Sequence, residues 1–259
     1  MNEKRVKSAD RVLDLLEYLS AVDRPVALHE VVRDLGFPKS SAHGLIGTLV
    51  DRGYVVRDDA DRFQVVDAFR EGFGWVGGFE ARLKALGRPV LEDARARTGE
   101  TVFLAVPNGQ GDAKVICKAV SLHHIRYDVD HTAPSPGYAT VMGRVLLAFD
   151  EPARVDAYFA RTELRPHTGR ALTSEAEIRA VLARIRAEGY GSIEEEYASG
   201  GCGIAAPVRD RSGRVVAVLD IATVSQRYAE LRPLLLETVR DSAARLSRRL
   251  GHNPASEEG

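Results

Sequence analysis

Apolar residues recur every three or four positions through the first fifty residues. Val12, Leu13, Leu16 and Leu19 mark one face of a helix in ADRVLDLLEYLSA. Leu28, Val31, Val32 and Leu35 do the same in RPVALHEVVRDLGF, with Gly36 as the stop. Pro38 suits the first turn of a third helix, where its missing N–H costs nothing. Ala42, Leu45, Ile46 and Leu49 form that helix's buried stripe, and Gly53 ends it. The period then falls to two: YVVRDDADRFQVV is two short β-prone runs around an Asp-rich turn, a hairpin. Three short helices and a hairpin predict a winged helix-turn-helix, whose third helix enters the major groove of DNA. A small helical protein-interaction domain would show the same pattern.

Beyond the hairpin, DAFREGFGWVGGFEARLKAL mixes aromatic and small residues and predicts a linker helix. Its Phe69, Phe73 and Trp75 suit packing or subunit contacts. GRPVLEDARARTGE predicts an amphipathic helix stopped at Gly99. TVFLAVP, AKVICKAV and HIRYDVD read as strands, and ATVMGRVLLAFD as an apolar helix. SEAEIRAVLARIRAEGY reads as a long helix opened by Ser174, with Glu177 completing a capping box. GCGIAAPVRD and GRVVAVLDIATV are two strands joined at RSG. A last helix, YAELRPLLLETVRDSAARLSRRL, ends in basic residues that suit its negative end. The tail HNPASEEG is expected to be disordered. The fold class is α+β. The divisions fall at 1–67 for the winged helix, 68–86 for the linker helix, 87–251 for the α/β domain and 252–259 for the tail.

The net charge of -1 argues against a broadly nucleic-acid-binding surface, but one reading module needs only local positive charge. Lys4, Arg5, Lys7 and Arg11 form a basic start that reads most simply as a solvated terminus. No apolar run is long enough to span a bilayer. MNEKRVKSAD has no signal-peptide stretch, and two cysteines make no disulfide framework. A soluble cytoplasmic protein is expected. Cys202 lies between glycines in SGGCGIAAP, but a nucleophile needs a base, and no motif ties His123, His124, His131 or His167 to it. No G-x-S-x-G elbow occurs. Adjacent histidines on a strand point to opposite faces, so His123, His124 and His131 make a poor metal set. Neither a cofactor nor a metal is expected.

PKSSAHGLIGTLVDRGYV, RTGETVFLAV, YATVMGRVLLAF, IRAEGYGSIEEEY, GCGIAAPV and GRVVAVLDIA, in this order and spacing, resemble the IclR family of bacterial transcription regulators over about Lys7 to Leu250. The resemblance implies an N-terminal winged helix, a linker helix and a C-terminal GAF-like α/β effector-binding domain. It also implies a homodimer or tetramer, double-stranded operator DNA and a small organic effector as partners, and no membrane. Against the family pattern, Gly44 stands where Arg is usual and Gly47 where a larger residue is. Asp220 and Ala222 replace a serine pair, and Tyr138 replaces a histidine.

Lys39 and the N–H groups opening the third helix suit phosphate. Ser40, Ser41 and His43 lie near the same end, and Thr48 one turn on can meet a thymine methyl. Arg57 and Arg62 would act from the wing. The glycines admit two readings: either the backbone approaches DNA closely, or Gly44 forgoes a cationic grip on it. For the effector, the resemblance places Gly137, Tyr138, Ala139, Thr140 and Met142 on one wall. Cys202 and Ile204 on one strand, and Asp220 and Ala222 on the next, would face them. Glu194, Arg126 and Tyr127 would add contacts. Ionised Asp220 can only accept, so it predicts an effector with a donor group and a partly apolar body. The rival is an internal ion pair with Arg126. Two other functions fit less well: a Cys202-dependent enzyme or redox sensor with an accessory helical domain, and an oligomeric sensor that does not bind DNA.

Overall fold

Helices α1 (Lys7–Ala21), α2 (Leu28–Leu35) and α3 (Lys39–Asp51) close around Leu15, Leu19, Val31, Ala42, Ile46 and Leu49. All but Leu15 are positions the helical period selects; Leu15 is fully buried where Leu16, only partly buried, was expected. The computed structural model describes residues 7–22, 24–66, 78–129 and 133–253. The chain divides into two compact units, Met1–Leu83 and Lys84–Gly259. Gly36 ends α2 in the left-handed region, at φ +63°. Pro38 stands one step outside the expected helix start: it is the N-cap, and its carbonyl accepts from Ala42 N at 3.0 Å. Strands β2 (Val55–Arg57) and β3 (Arg62–Val65) form the wing hairpin. A short strand β1 (Val26–Ala27) joins the other edge of β3, in a segment read from sequence as helix. Val26 fills the core there while its backbone pairs opposite Phe63.

Phe69, Phe73, Trp75, Lys4, Arg5, His131 and the tail from residue 254 lie outside the described residues. So does most of the expected linker helix. Its visible part corrects the sequence reading: α4 (Gly78–Thr98) runs unbroken through Gly87 and Pro89, where a second helix was expected to begin. Gly87 is a crossing point, not a boundary. A Cβ there would lie 2.6 Å from Leu104 Cδ2 and 3.8 Å from Leu246 Cδ2.

In the C-terminal unit an antiparallel sheet runs in the order β5-β4-β8-β7-β6. The strands are β4 (Thr101–Pro107), β5 (Ala113–Ala119), β6 (Gly191–Glu194), β7 (Gly201–Arg209) and β8 (Val215–Val224). On one face lie α5 (Val141–Ala148), with α6 (Pro152–Arg161) and α7 (Glu175–Glu188) sharing its core. α8 (Ser225–Arg249) packs on β7 and β8. Leu246 of α8 and Leu91 of α4 meet Leu104 at the Gly87 crossing. A bidentate ion pair from Arg227 to the fully buried Glu100, at 2.5 and 2.8 Å, ties the start of α8 to the start of β4.

Three sequence readings change here. HIRYDVD is not a strand: Ile125 is 74% exposed while Tyr127 and Val129 pack inward, so the run does not alternate. Ser174 occupies the N-cap of α7, but its hydroxyl makes no capping bond. β6 and α6 were not foreseen; both are short, and α6 opens on Pro152.

Helix α5 sits close over the turn before it. A Cβ on Gly143 would fall on the Gly137 backbone. Buried Arg144 clamps the same turn, donating from Nε to the Tyr138 carbonyl at 2.7 Å and pairing with Glu196 at 2.8 Å. Gly143→Ala should therefore destabilise the fold by about 1–3 kcal/mol through overpacking. Urea unfolding measures it; an unchanged midpoint would show that the turn yields freely.

Candidate functional site

In α3 the buried stripe is Ala42, Ile46 and Leu49. The opposite face, with Lys39, Ser40, His43, Gly44 and Thr48, is exposed. These five share one face through the 3.6-residue period. Beyond the helix's own backbone, nothing lies within 4 Å of a Cβ built at Gly44 or at Gly47, so neither glycine is required by the packing of this unit. Ser41 is turned inward, accepting from Arg11 Nη1 at 3.2 Å, and Arg11 also lies over the Phe37 ring. Thr48 Oγ1 donates back to the Gly44 carbonyl at 2.9 Å, leaving its methyl and lone pairs for a partner. Both wing arginines are engaged within the hairpin, Arg57 with Asp61 and Arg62 with Asp58 at 2.8 Å. Such exposed pairs hold weakly and yield to a phosphate.

The second candidate is a cavity of about 40 Å³ between the first turn of α5 and the sheet. Strand register decides which side chains reach it. Asp220 pairs with Ala205 on β7 and with Phe103 on β4; Ala222 pairs with Gly203. Paired residues share a face and neighbours along a strand alternate. Asp220, Ala222, Phe103, Gly201 and Gly203 therefore face α5. Cys202 is opposite Thr223, Ile204 is opposite Ile221, and both point to the other face. This overturns the expected wall of Cys202 and Ile204 facing the pocket with Asp220: the two pairs sit one residue out of phase. Cys202 borders the cavity through its position on the strand, and Ile204 is core. Glu194 pairs with Cys202, so it too belongs to the other face.

The two glycines make the room. A Cβ on Gly201 would lie 2.5 Å from the Tyr127 ring, and one on Gly203 would lie 2.9 Å from Asp220 Oδ1. Tyr127 meets Phe103 edge-on, with centroids 6.5 Å apart. Of the expected residues, Tyr127, Thr140, Met142, Cys202, Asp220 and Ala222 line the cavity. Sequence reasoning missed Phe103, Val129, Ile193 and Tyr197. The alternation of TVFLAVP could have flagged Phe103 once its register was known. Tyr197 lies in an irregular loop with no such signal.

The remaining expected contacts are used elsewhere. Arg126 is exposed and donates to the His123 carbonyl at 3.2 Å, so the proposed internal pair with Asp220 is absent. Gly137 N donates to Asp112 at 2.9 Å, and Tyr138 N to the Tyr158 hydroxyl at 3.0 Å. The Tyr138 hydroxyl meets the Arg165 carbonyl at 3.0 Å and His167 at 3.2 Å. Ala139 N and Thr140 N both donate to the Pro136 carbonyl. The Thr140 hydroxyl caps α5 by accepting from Gly143 N at 3.1 Å. Gly137, Tyr138 and Ala139 thus build the turn beneath the pocket and offer it no free N–H of Ala139 or Thr140.

Asp220 is 3% exposed, and its Oδ1 has no hydrogen-bond partner among the described residues. Burial pushes its carboxyl from the ordinary 3.8 up to about 8. Burial therefore favours the neutral acid near pH 7, against the expectation of an ionised acceptor. Burial also pushes the Cys202 thiol up to about 11, aided by the nearby Glu194 carboxylate. That is the opposite of an activated nucleophile. Among the described residues, no group of His, Cys, Asp and Glu could hold a metal ion, and no helix is long and apolar enough to cross a membrane.

The family model for the bacterial transcriptional regulator IclR C-terminal region matches residues 80–248, and that for the IclR helix-turn-helix domain matches residues 8–59. The glycerol operon regulatory protein of Streptomyces coelicolor is 33% identical, over 96% of this chain and 98% of its own length. The transcriptional repressor IclR of Escherichia coli is 27% identical over 88% and 84%. Among solved structures, the Agobacterium tumefaciens repressor BlcR aligns with a TM-score of 0.59 at 25% identity, covering 97% of this chain and 100% of its own. An IclR homolog from Microbacterium hydrocarbonoxydans complexed with 4-hydroxybenzoate shares the fold, with a TM-score of 0.62 at 21% identity over 94% and 98%.

The displaced titration of Asp220 has a consequence for stability. The native state keeps a proton that the unfolded chain loses near pH 4, so Asp220 erodes stability as pH rises from about 4 to about 8. Asp220→Asn removes this effect. The variant should gain on the wild type across that window, by up to a few kcal/mol, and the gap should level off above it. Parallel denaturation series from pH 4 to 9 test this; a constant gap would place the titration elsewhere.

Proposed function

The chain belongs to the IclR family of bacterial transcription regulators, and we propose that it binds operator DNA through α3 and the wing. Its α/β domain takes a small, partly apolar organic effector in the cavity between α5 and the sheet. The observation that carries the DNA-reading assignment is the division of α3 into a buried stripe and an exposed face of Lys39, Ser40, His43, Gly44 and Thr48. Arg57 and Arg62 add phosphate contacts by exchanging Asp61 and Asp58 for DNA. Ser41 supports the helix through Arg11 instead of reading bases. Tyr127, Thr140, Met142, Asp220 and Ala222, with Phe103 and Tyr197, form the effector pocket. The protein acts as a homo-oligomer in the cytoplasm. It is not an enzyme: the buried, unactivated Cys202 supports this reading over a thiol-dependent one.

Fluorescence anisotropy with the DNA upstream of the chain's own gene tests the reading. Lys39→Ala should weaken binding to all sequences and reduce the salt slope by about one, because it removes one phosphate contact. Unchanged affinity at low and moderate salt would move the reading surface elsewhere.

Gly44→Arg separates the two readings of the glycines. The position is open and exposed, so the new side chain fits without a clash inside this unit. It should stabilise the helix by up to about 1 kcal/mol. It should also tighten DNA binding by up to about 3 kcal/mol through a charge-assisted bond. A large loss of binding with the fold intact would mean that the bare backbone itself approaches the DNA.

A further inference from the structure

The chemistry of the cavity wall is lopsided. Its described lining contains one carboxyl group, Asp220, and no lysine, arginine or histidine. The charged and titratable groups around it leave this balance in place. On β4 and β7 the facing partners are Phe103, Ala205 and Gly203, none of them titratable. From the loop above, Tyr127 is held neutral, pushed up to about 12 chiefly by burial. Tyr197, across the cavity, is likewise raised by burial. The cation on α5, Arg144, is engaged by the Tyr138 carbonyl and by Glu196. On the neighbouring segment, Lys118 is paired with Asp128 at 2.6 Å. What remains is a buried carboxyl oxygen without a partner, with Phe103, Tyr127 and Tyr197 as aromatic walls.

A buried carboxyl without a partner needs a hydrogen-bonding group, and the aromatic faces around it favour a cation as that group. We infer that the effector is an amine, whose ammonium group enters the cavity, donates to Asp220 Oδ1 and lies against the aromatic rings. This rests on the reading of the cavity as the effector pocket. The volume of about 40 Å³ exceeds what one water needs and falls far below that of a whole drug-sized ligand site. It admits a compact head group, and a larger body extends toward the loop at Tyr197 and Ala198. The positive end of α5 opposes a cation, but it carries about half a unit charge, and Thr140 already caps it. A full carboxylate in direct contact outweighs it. Proton balance follows: the empty site holds neutral Asp220, and ammonium binding sends that carboxyl proton to solvent, leaving a carboxylate–ammonium pair. A carboxylate effector would bind without release or with uptake.

The test uses the full chain, with methylamine, benzylamine and tyramine beside benzoate, phenylacetate and benzyl alcohol as probes. The sequence has two methionines, Met1 and Met142, so a ¹³C-methyl methionine label reports pocket occupancy through Met142. Calorimetry in buffers of different ionisation enthalpy counts protons. At least one amine should shift the Met142 methyl and release about one proton per site at pH 7. Asp220→Asn, checked for an intact melting transition, should lower its affinity tenfold or more. Carboxylates or the alcohol shifting Met142 while the amines do not would overturn the amine assignment and leave the pocket standing. So would amine binding unaffected by Asp220→Asn. Probes that bind while Met142 stays unmoved would remove the pocket reading itself. No binding by any amine would overturn the inference outright.

Discussion

The pairing of β7 with β8 is the constraint on which the α/β unit depends. Cys202 stands opposite Thr223, Gly203 opposite Ala222, and Ala205 opposite Asp220. Because side chains alternate, this one register sends Gly201, Gly203, Asp220 and Ala222 toward α5 and sends Cys202, Ile204 and Ile221 away from it. A slip by one residue would bring Ile221 toward α5 and turn Asp220 out of the cavity. The thiol and the carboxyl, which look like neighbours in a list of motifs, are directed to opposite faces of the sheet, and Cys202 borders the cavity only through its position on the strand.

On the α5 side, three close approaches then fix the pocket. Gly201 lets the Tyr127 ring lie on the strand, and Gly203 leaves space beside the Asp220 carboxyl. Gly143 lets α5 press on the turn at Gly137, which Asp112, Tyr158 and Arg144 hold by hydrogen bonds. The turn's own polar groups are consumed in this scaffold. The cavity is left with mostly aromatic and aliphatic walls and a single carboxyl group. Burying that carboxyl with Oδ1 unpartnered costs stability that a hydrogen-bonding group would offset.

The DNA-reading unit is built on a different principle. Its core needs only the buried stripe of α3, and the glycines at 44 and 47 touch none of it. They are tolerated because Ala42, Ile46 and Leu49 hold the helix by tertiary packing, which outweighs the helix propensity lost at each glycine. The exposed face is therefore free to vary without cost to the fold, and what it reads depends on side chains that the core does not specify.

Periodicity alone located most elements: α1 to α3, the wing, β4, β5, β7, β8, α5, α7 and α8 all fall where the apolar pattern places them, because burial of one face sets that pattern. The family resemblance, not the period, drew attention to Asp220, as a replacement in a serine pair; Lys39, His43 and Thr48 lie on the open face of α3. Other features the period could not hold. Gly87 looked like a helix boundary until Leu104 stood against it, and HIRYDVD looked like a strand although its apolar residues divide between solvent and pocket. Strand phase was the largest gap. The two β-prone runs joined at RSG put Cys202 and Asp220 on neighbouring strands, but only the hydrogen-bonded register says which faces they take. The protonation of Asp220 was beyond the sequence for the same reason, since it follows from the burial and missing partner that tertiary packing creates.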